Sequence, residues 1–124
     1  MRELTRAEEQ IMQILWKLKK GFVKDVIAEI PKPKPAYNTV STIIRILENK
    51  GFVDHKSYGK THEYYPVVER DVYRSFFLKN ILRNYFGGKI EHLVSFFARD
   101  NDLNIKDMEE ILKYVETDLN HPEE

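Results

Sequence analysis

Three times in the first fifty residues, apolar side chains recur at the spacing i, i+3, i+4, i+7. The sets are Ile11, Ile14, Leu15, Leu18, then Val23, Val26, Ile27, Ile30, then Val40, Ile43, Ile44, Leu47. On a helix of 3.6 residues per turn each set makes one stripe, so the pattern demands three short amphipathic helices that share a core. Thr5-Arg6-Ala7-Glu8 has the form of a capping box and predicts the first start. Lys20-Gly21 closes the first helix and Lys50-Gly51 the third. Pro31-Lys32-Pro33-Lys34-Pro35 stops the second, because proline lacks the N–H and disfavours a helical predecessor. Two short aromatic or β-branched stretches follow, residues 52–57 and 62–66, on either side of Tyr58-Gly59-Lys60-Thr61, which predicts a β-hairpin. Three helices and then a hairpin is the order of a winged helix-turn-helix, expected here over residues 1–67.

The remainder, residues 68–124, reads as all-helical, with segments near 69–86, 89–100 and 105–119 broken at Gly87-Gly88 and at residues 101–104. Apolar residues surround most of the first of these helices, and such a helix needs cover on several sides. About fifty residues cannot supply that cover alone. A second copy of the chain is the economical solution, and two-fold symmetry its usual form. Phe76, Phe77, Ile81, Leu93, Phe97, Ile111, Leu112 and Val115 are the expected dimerisation residues. The fold class is therefore mainly α with a small β-hairpin wing, a winged helix-turn-helix followed by a helical dimerisation domain.

The formal net charge is zero, but it is unevenly divided. Residues 1–66 hold twelve Lys and Arg against eight Asp and Glu, net +4, and residues 67–124 hold eight against twelve, net −4. That division suits a basic head on an acidic tail. No apolar run reaches the roughly 20 residues a membrane span needs, and Met1-Arg2-Glu3-Leu4 opens into a structured segment without a signal-peptide core. A cytoplasmic location without membrane insertion is expected. The chain has no cysteine, so thiolate metal sites and thiol nucleophiles are excluded.

Opposite the buried stripe of the third helix stand Asn38, Ser41, Thr42 and Arg45, themselves at i, i+3, i+4, i+7, with Thr39 beside them. An ordinary solvated face is rich in Glu and Lys. Short hydrogen-bonding side chains instead let a helix sit deep in the major groove and reach base edges, while arginine bonds guanine or phosphate. In isolation the same face is simply the polar side of an amphipathic helix; the helix-helix-helix-hairpin order favours DNA. Lys56, Tyr58, Lys60 and His62 cluster around the hairpin tip, fitted equally to phosphate contact and to keeping an edge strand soluble. Lys32 and Lys34 are expected to keep their loop solvated. His55, His62, His92 and His121 include no i, i+3 or i+4 pair, so no metal site is expected. Without a phosphate loop or a nucleophile elbow, neither an enzyme nor a cofactor is expected, and Trp16 is expected to pack. A second reading, a winged helix that docks on another protein without touching DNA, rests on the neutral overall charge and the aromatic tail.

Leu4-Thr5-Arg6-Ala7-Glu8, Ile14-Leu15-Trp16, residues 37–42 (Tyr-Asn-Thr-Val-Ser-Thr), Arg45-Ile46-Leu47, Lys50-Gly51-Phe52-Val53 and Tyr64-Tyr65-Pro66-Val67 occur in an order that resembles the penicillinase-repressor family of bacterial winged-helix regulators. Phe86-Gly87-Gly88 and Leu93-Val94 extend the resemblance over nearly the whole chain. It implies a homodimer that binds a dyad-symmetric operator and represses transcription by blocking polymerase. The implied DNA contacts are Asn38, Thr39, Ser41, Thr42 and Arg45 on the recognition helix and residues 56–60 on the wing, including Lys56, Tyr58 and Lys60. The family's copper-responsive branch uses C-terminal cysteines, which this chain lacks. Its β-lactam-responsive branch is cleaved at an Asn-Phe bond by a regulatory protease, and the matching place here reads Phe96-Phe97.

Overall fold

Thr5 caps the first helix, α1 (Arg6–Leu18), through both halves of the expected box. Its hydroxyl accepts from the Glu8 N–H at 3.2 Å, and the Glu8 carboxylate accepts from the Thr5 N–H at 2.9 Å. The computed structural model describes residues 1–101 and positions 106, 109, 110 and 113. They divide into two compact units, Met1–Arg70 and a second from Asp71 onward.

In the first unit α1 is followed by α2 (Val23–Ala28), α3 (Tyr37–Asn49) and the strands β1 (Val53–Tyr58) and β2 (Thr61–Pro66). Lys19, with φ 72°, ends α1 two residues before the expected glycine. Gly21 serves the hairpin instead, exchanging backbone hydrogen bonds with Tyr64 at 2.9 and 2.8 Å. The second helix is two residues shorter than its apolar spacing implied, and Ile30 is buried beyond its end. The Lys34 ammonium closes that end, donating to the carbonyls of Ile27, Ala28 and Ile30 at 2.7–3.2 Å. Lys34 thus caps a helix, where only a solvated loop was expected.

The core of this unit comes from every element. Ile11, Met12 and Leu15 of α1 meet Val26, then Val40, Ile44 and Leu47 of α3, with Phe52 and Tyr64 from the hairpin region. Trp16 packs as expected, its indole N–H donating to the Val68 carbonyl at 2.9 Å. The strands pair antiparallel from Val53↔Pro66 to Tyr58↔Thr61, leaving a two-residue turn of Gly59 and Lys60. Gly59 there has φ 63°, the left-handed region a tight hairpin turn needs at that position.

Glu8 does more than cap. It is 5% exposed, and the Lys50 ammonium just past α3 donates to its two carboxylate oxygens at 2.7 and 2.9 Å. Burial pushes this carboxyl upward, but Lys50 and the Thr5 donors outweigh burial and hold it below the usual carboxylate range.

The second unit contains α4 (Arg70–Tyr85) and α5 (Ile90–Asn101), separated at Gly87-Gly88. Leu82 and Leu93 form a small buried cluster with Phe86 and Ile90 packed against it. Tyr73 lies near the rings of Phe76 and Phe77, with centroids 6.1 and 6.2 Å away. Of the third helical segment expected near 105–119, Lys106, Glu109, Glu110 and Lys113 are described and are helical, whereas Ile111, Leu112 and Val115 lie outside the described residues.

Removing one partner of a buried ion pair strands the other charge. Lys50→Met is expected to cost about 3 kcal/mol in urea unfolding at neutral pH. Because the folded carboxyl of Glu8 titrates below its unfolded value near 4.5, its contribution is complete above that pH and disappears as pH falls through the lower folded value. The acid-side loss of stability is therefore expected to be smaller in Glu8→Gln.

Candidate nucleic-acid interface

The buried stripe of α3 decides which of its residues face outward. Val40, Ile44 and Leu47 are at most 1% exposed. On the opposite side Asn38, Thr42, Arg45 and Asn49 are all exposed, spaced i, i+4, i+7, i+11, with Thr39 and Ile46 exposed along one flank. Asn49 and Ile46 did not figure in the sequence reading, yet extending the same helical spacing by one turn reaches Asn49.

Ser41 departs from expectation. It is 9% exposed, and its hydroxyl accepts from the Arg45 guanidinium at 3.2 Å. The apolar spacing placed Ile43 in the stripe, but Ile43 is only half-buried. Ser41 and Arg45 lie on the flank of α3 that shares a cleft with Lys60, His62 and Tyr64 of the hairpin. On that flank Glu48 accepts from the imidazole Nδ1 of His55 at 2.5 Å. Ser41 therefore holds Arg45 in place and has little surface of its own to offer a base edge.

The end of α3 sets where the hairpin leaves. Gly51, with φ 82°, lets its own N–H reach the Glu48 carbonyl at 3.0 Å and the Phe52 N–H reach the Leu47 carbonyl at 2.9 Å. This is a Schellman closure, and its accompanying apolar contact is supplied by Leu47 and Phe52, both fully buried.

The two faces of the hairpin differ. His55, His62 and Tyr64 share the inner one, where the imidazoles of His55 and His62 stack with centroids 4.0 Å apart. No helical spacing reveals that pair, because a diagonal across two strands makes it. Burial first, and then the charge of Glu48, push the Tyr64 phenol up, against an opposing pull from Arg45. On the outer face Lys56 lies over the Tyr58 ring, 5.4 Å from its centroid, and Lys60 is exposed at the tip. Tyr58 leans toward Phe22 at the start of α2, with ring centroids 5.8 Å apart.

Two further features belong to this region. A cleft of about 600 Å³ lies between α3, the start of α2 and β2, with Lys24, Tyr37, Arg45 and Lys60 on its walls. Glu48, Asp54 and His55 bring one donor atom each within 4.8 Å of one another. Both carboxylates already accept locally, Glu48 from the imidazole and Asp54 from the His55 N–H at 2.8 Å.

Of the expected dimerisation residues, Phe76, Phe77 and Ile81 are half-buried on α4, and Phe97 is 44% exposed on α5. Leu93, by contrast, is 8% exposed and packed on Leu82 within its own unit. Tyr85 and Phe96 are further exposed aromatics, at 78% and 47%.

A third helix with an outward polar row, set beside a hairpin with a lysine at its tip, defines a winged helix-turn-helix. The family model for the penicillinase repressor matches residues 4–117. The methicillin resistance regulatory protein MecI of Staphylococcus aureus strain N315 is 32% identical over 110 residues, 88% of this chain and 89% of its own length. A penicillinase repressor of Bacillus licheniformis is 23% identical over 123 residues, 98% and 96% of the two chains. Among solved structures, the solution structure of the DNA-binding domain of the repressor BlaI is 26% identical and covers 56% of this chain and 90% of its own, with a TM-score of 0.49. The chain belongs to the penicillinase repressor family. These relatives are named as a regulator and repressors, not as enzymes.

An added Cβ at Gly51 meets nothing within 4 Å, so only backbone strain opposes it. Gly51→Ala is expected to cost about 1 kcal/mol in thermal or urea unfolding, with the helices retained.

Proposed function

We propose that this chain is a DNA-binding transcriptional repressor that acts as a homodimer on a dyad-symmetric operator. The observation that carries the reading is the exposed row Asn38, Thr42, Arg45 and Asn49, which lies opposite the stripe holding α3 in the core. Short amide and hydroxyl side chains bond base edges at close approach, and a guanidinium bonds guanine or phosphate. Thr39 flanks the row, and Lys56, Tyr58 and Lys60 on the wing meet the backbone beside the groove. The relatives' names as a regulatory protein and a repressor, and the net positive charge of the first 66 residues, support the same reading. No described helix is long and apolar enough to cross a membrane. The proposed place of action is the bacterial cytoplasm.

The second unit, with the helical residues after it, is the proposed dimerisation domain. Its exposed aromatics, Tyr85, Phe96 and Phe97, are available to such a contact. Pairing two heads by a dyad matches two half-sites on one duplex, and each head alone binds weakly. A regulatory protease remains a proposed partner by resemblance. The Phe96–Phe97 bond lies inside α5, so cleavage there requires that helix to open.

Arg45→Ala is expected to weaken DNA binding by about tenfold or more, a loss of about 1.4 kcal/mol or more, with the dimer intact. A gel-shift titration against a duplex selected from random pools checks it, and unchanged affinity counts against the assignment. If the dimer neutralises about six phosphates, affinity is expected to fall about a thousandfold between about 50 and about 200 mM salt. A folded chain that ignores DNA at low salt and co-purifies with another protein would instead be an interaction module.

Phe97→Glu places a charge on the proposed dimer surface. Sedimentation is expected to show a shift toward monomer, together with weaker DNA binding. A dimer of unchanged affinity would remove Phe97 from that surface.

A further inference from the structure

We propose that the cleft between α3 and the hairpin binds a small aromatic carboxylate, and that this ligand and DNA exclude one another because both engage Arg45 and Lys60. The exclusion rests on the DNA-reading role given above; the binding site does not.

The walls of the cleft specify the chemistry. None of the ten residues that line it is acidic, while Lys24, Arg45 and Lys60 approach from α2, α3 and the hairpin turn. Three cations around one cavity, with no carboxylate in its lining, favour an anionic occupant. The rest of the lining is largely apolar and aromatic, with Phe22 and Tyr37 on the helical side and Tyr64 on the strand side. At about 600 Å³ the cleft lies within the roughly 300–1,000 Å³ typical of small-molecule sites.

A backbone phosphate alone satisfies the charges but leaves the ring faces of Phe22 and Tyr37 uncovered. A flat aromatic ring bearing one carboxylate satisfies both. The Tyr64 phenol, a hydroxyl donor at neutral pH, lines the same cleft. The site is shaped before a ligand arrives. Arg45 is held by Ser41 at 3.2 Å, His62 is stacked on His55, and the Tyr58 ring lies near Phe22 across the turn. A pre-formed cleft loses little ordering entropy on binding.

Arg45 is where the two ligands meet. It stands in the outward row of α3 and also lines the cleft, and Lys60 likewise belongs to both the wing tip and the cleft. An occupant carboxylate that draws the guanidinium inward withdraws it from the duplex. By linkage, DNA must weaken the ligand by the same factor.

The test uses the full chain without DNA and isothermal titration with sodium 2-naphthoate. Sodium sulfate serves as a charge-only control and 2-naphthalenemethanol as a ring-only control. Saturable binding of one naphthoate per protomer is expected, with both controls weaker by about tenfold or more. Lys24 and Tyr37 are exposed, so Lys24→Ala and Tyr37→Ala are expected to keep the fold, checked by circular dichroism, and each to weaken naphthoate by about tenfold. In a gel shift with a duplex selected from random pools, naphthoate at ten times its own Kd is expected to raise the apparent Kd for DNA about tenfold. The site is overturned by absence of saturable binding up to about 5 mM, by equal binding of sulfate, or by indifference to both substitutions. The exclusion is overturned by a naphthoate-loaded chain that keeps its DNA affinity. A chain that binds naphthoate but no DNA refutes the DNA reading and the exclusion with it, and leaves the site standing.

Discussion

Burial of Val40, Ile44 and Leu47 is the constraint from which the rest of the structure follows. Each is worth roughly 1.5–3 kcal/mol when removed from water, and together they fix the rotation of α3 about its own axis. A helix turned by one residue moves its faces by about 100°, which would swing these three side chains out of the core and carry in a flank instead, Ser41 and Glu48 on one side or Thr39 and Ile46 on the other. The exposed row therefore owes its direction to the residues behind it. It contributes little to stability itself, and its composition is left free for recognition. Glu8 and Lys50 reinforce the same orientation, because the pair ties the first turn of α1 to the end of α3 through one desolvated contact.

The hairpin is anchored at its base and free at its tip. Tyr64 exchanges backbone hydrogen bonds with Gly21, His55 meets Glu48, and the Schellman closure at Gly51 sets the exit of the chain from α3. Beyond the His55–His62 stack toward the turn, the ring contact of Tyr58 with Phe22 is the main restraint among the described contacts. Lys60 thus sits on a lever with a rigid root, a suitable mounting for a phosphate contact that has to find its partner on an irregular surface. The division of charge between the two halves of the chain has the same logic. Zero net charge limits indiscriminate attraction to polyanions, while a local excess of cations remains on the half that carries α3 and the wing.

The periodic parts of the fold were legible because amphipathic spacing reports burial directly. The three apolar stripes, the Thr5–Glu8 box and the Gly59-Lys60 turn all correspond to elements the structure contains. The failures come from contacts that no helical period encodes. Ser41 has the polarity and spacing of an exposed residue and is nonetheless 9% exposed, at the floor of a cleft shared by α2, α3 and the hairpin. Lys34 looks like a loop lysine until its reach back to three carbonyls of the preceding turn is seen. His55 and His62 form no helical pair, and only the strand register of a two-residue turn stacks them. The cleft was illegible for the same reason, since Lys24, Arg45 and Lys60 share no local pattern and meet through tertiary packing alone.

On the proposed reading, Arg45 carries two functions on one side chain. Guanidinium carries five N–H donors, and the bond to Ser41 uses only one of them. That bond restrains the planar group at the rim of the cleft while leaving most of its donors free to turn outward or inward. A rigidly outward arginine would serve DNA alone, and one sunk in the cleft could not reach a base edge. Ser41, buried and short, holds the guanidinium from beneath without covering it. A serine in a predominantly apolar stripe is a poor core residue, and its service to Arg45 is the physical reason for finding it there.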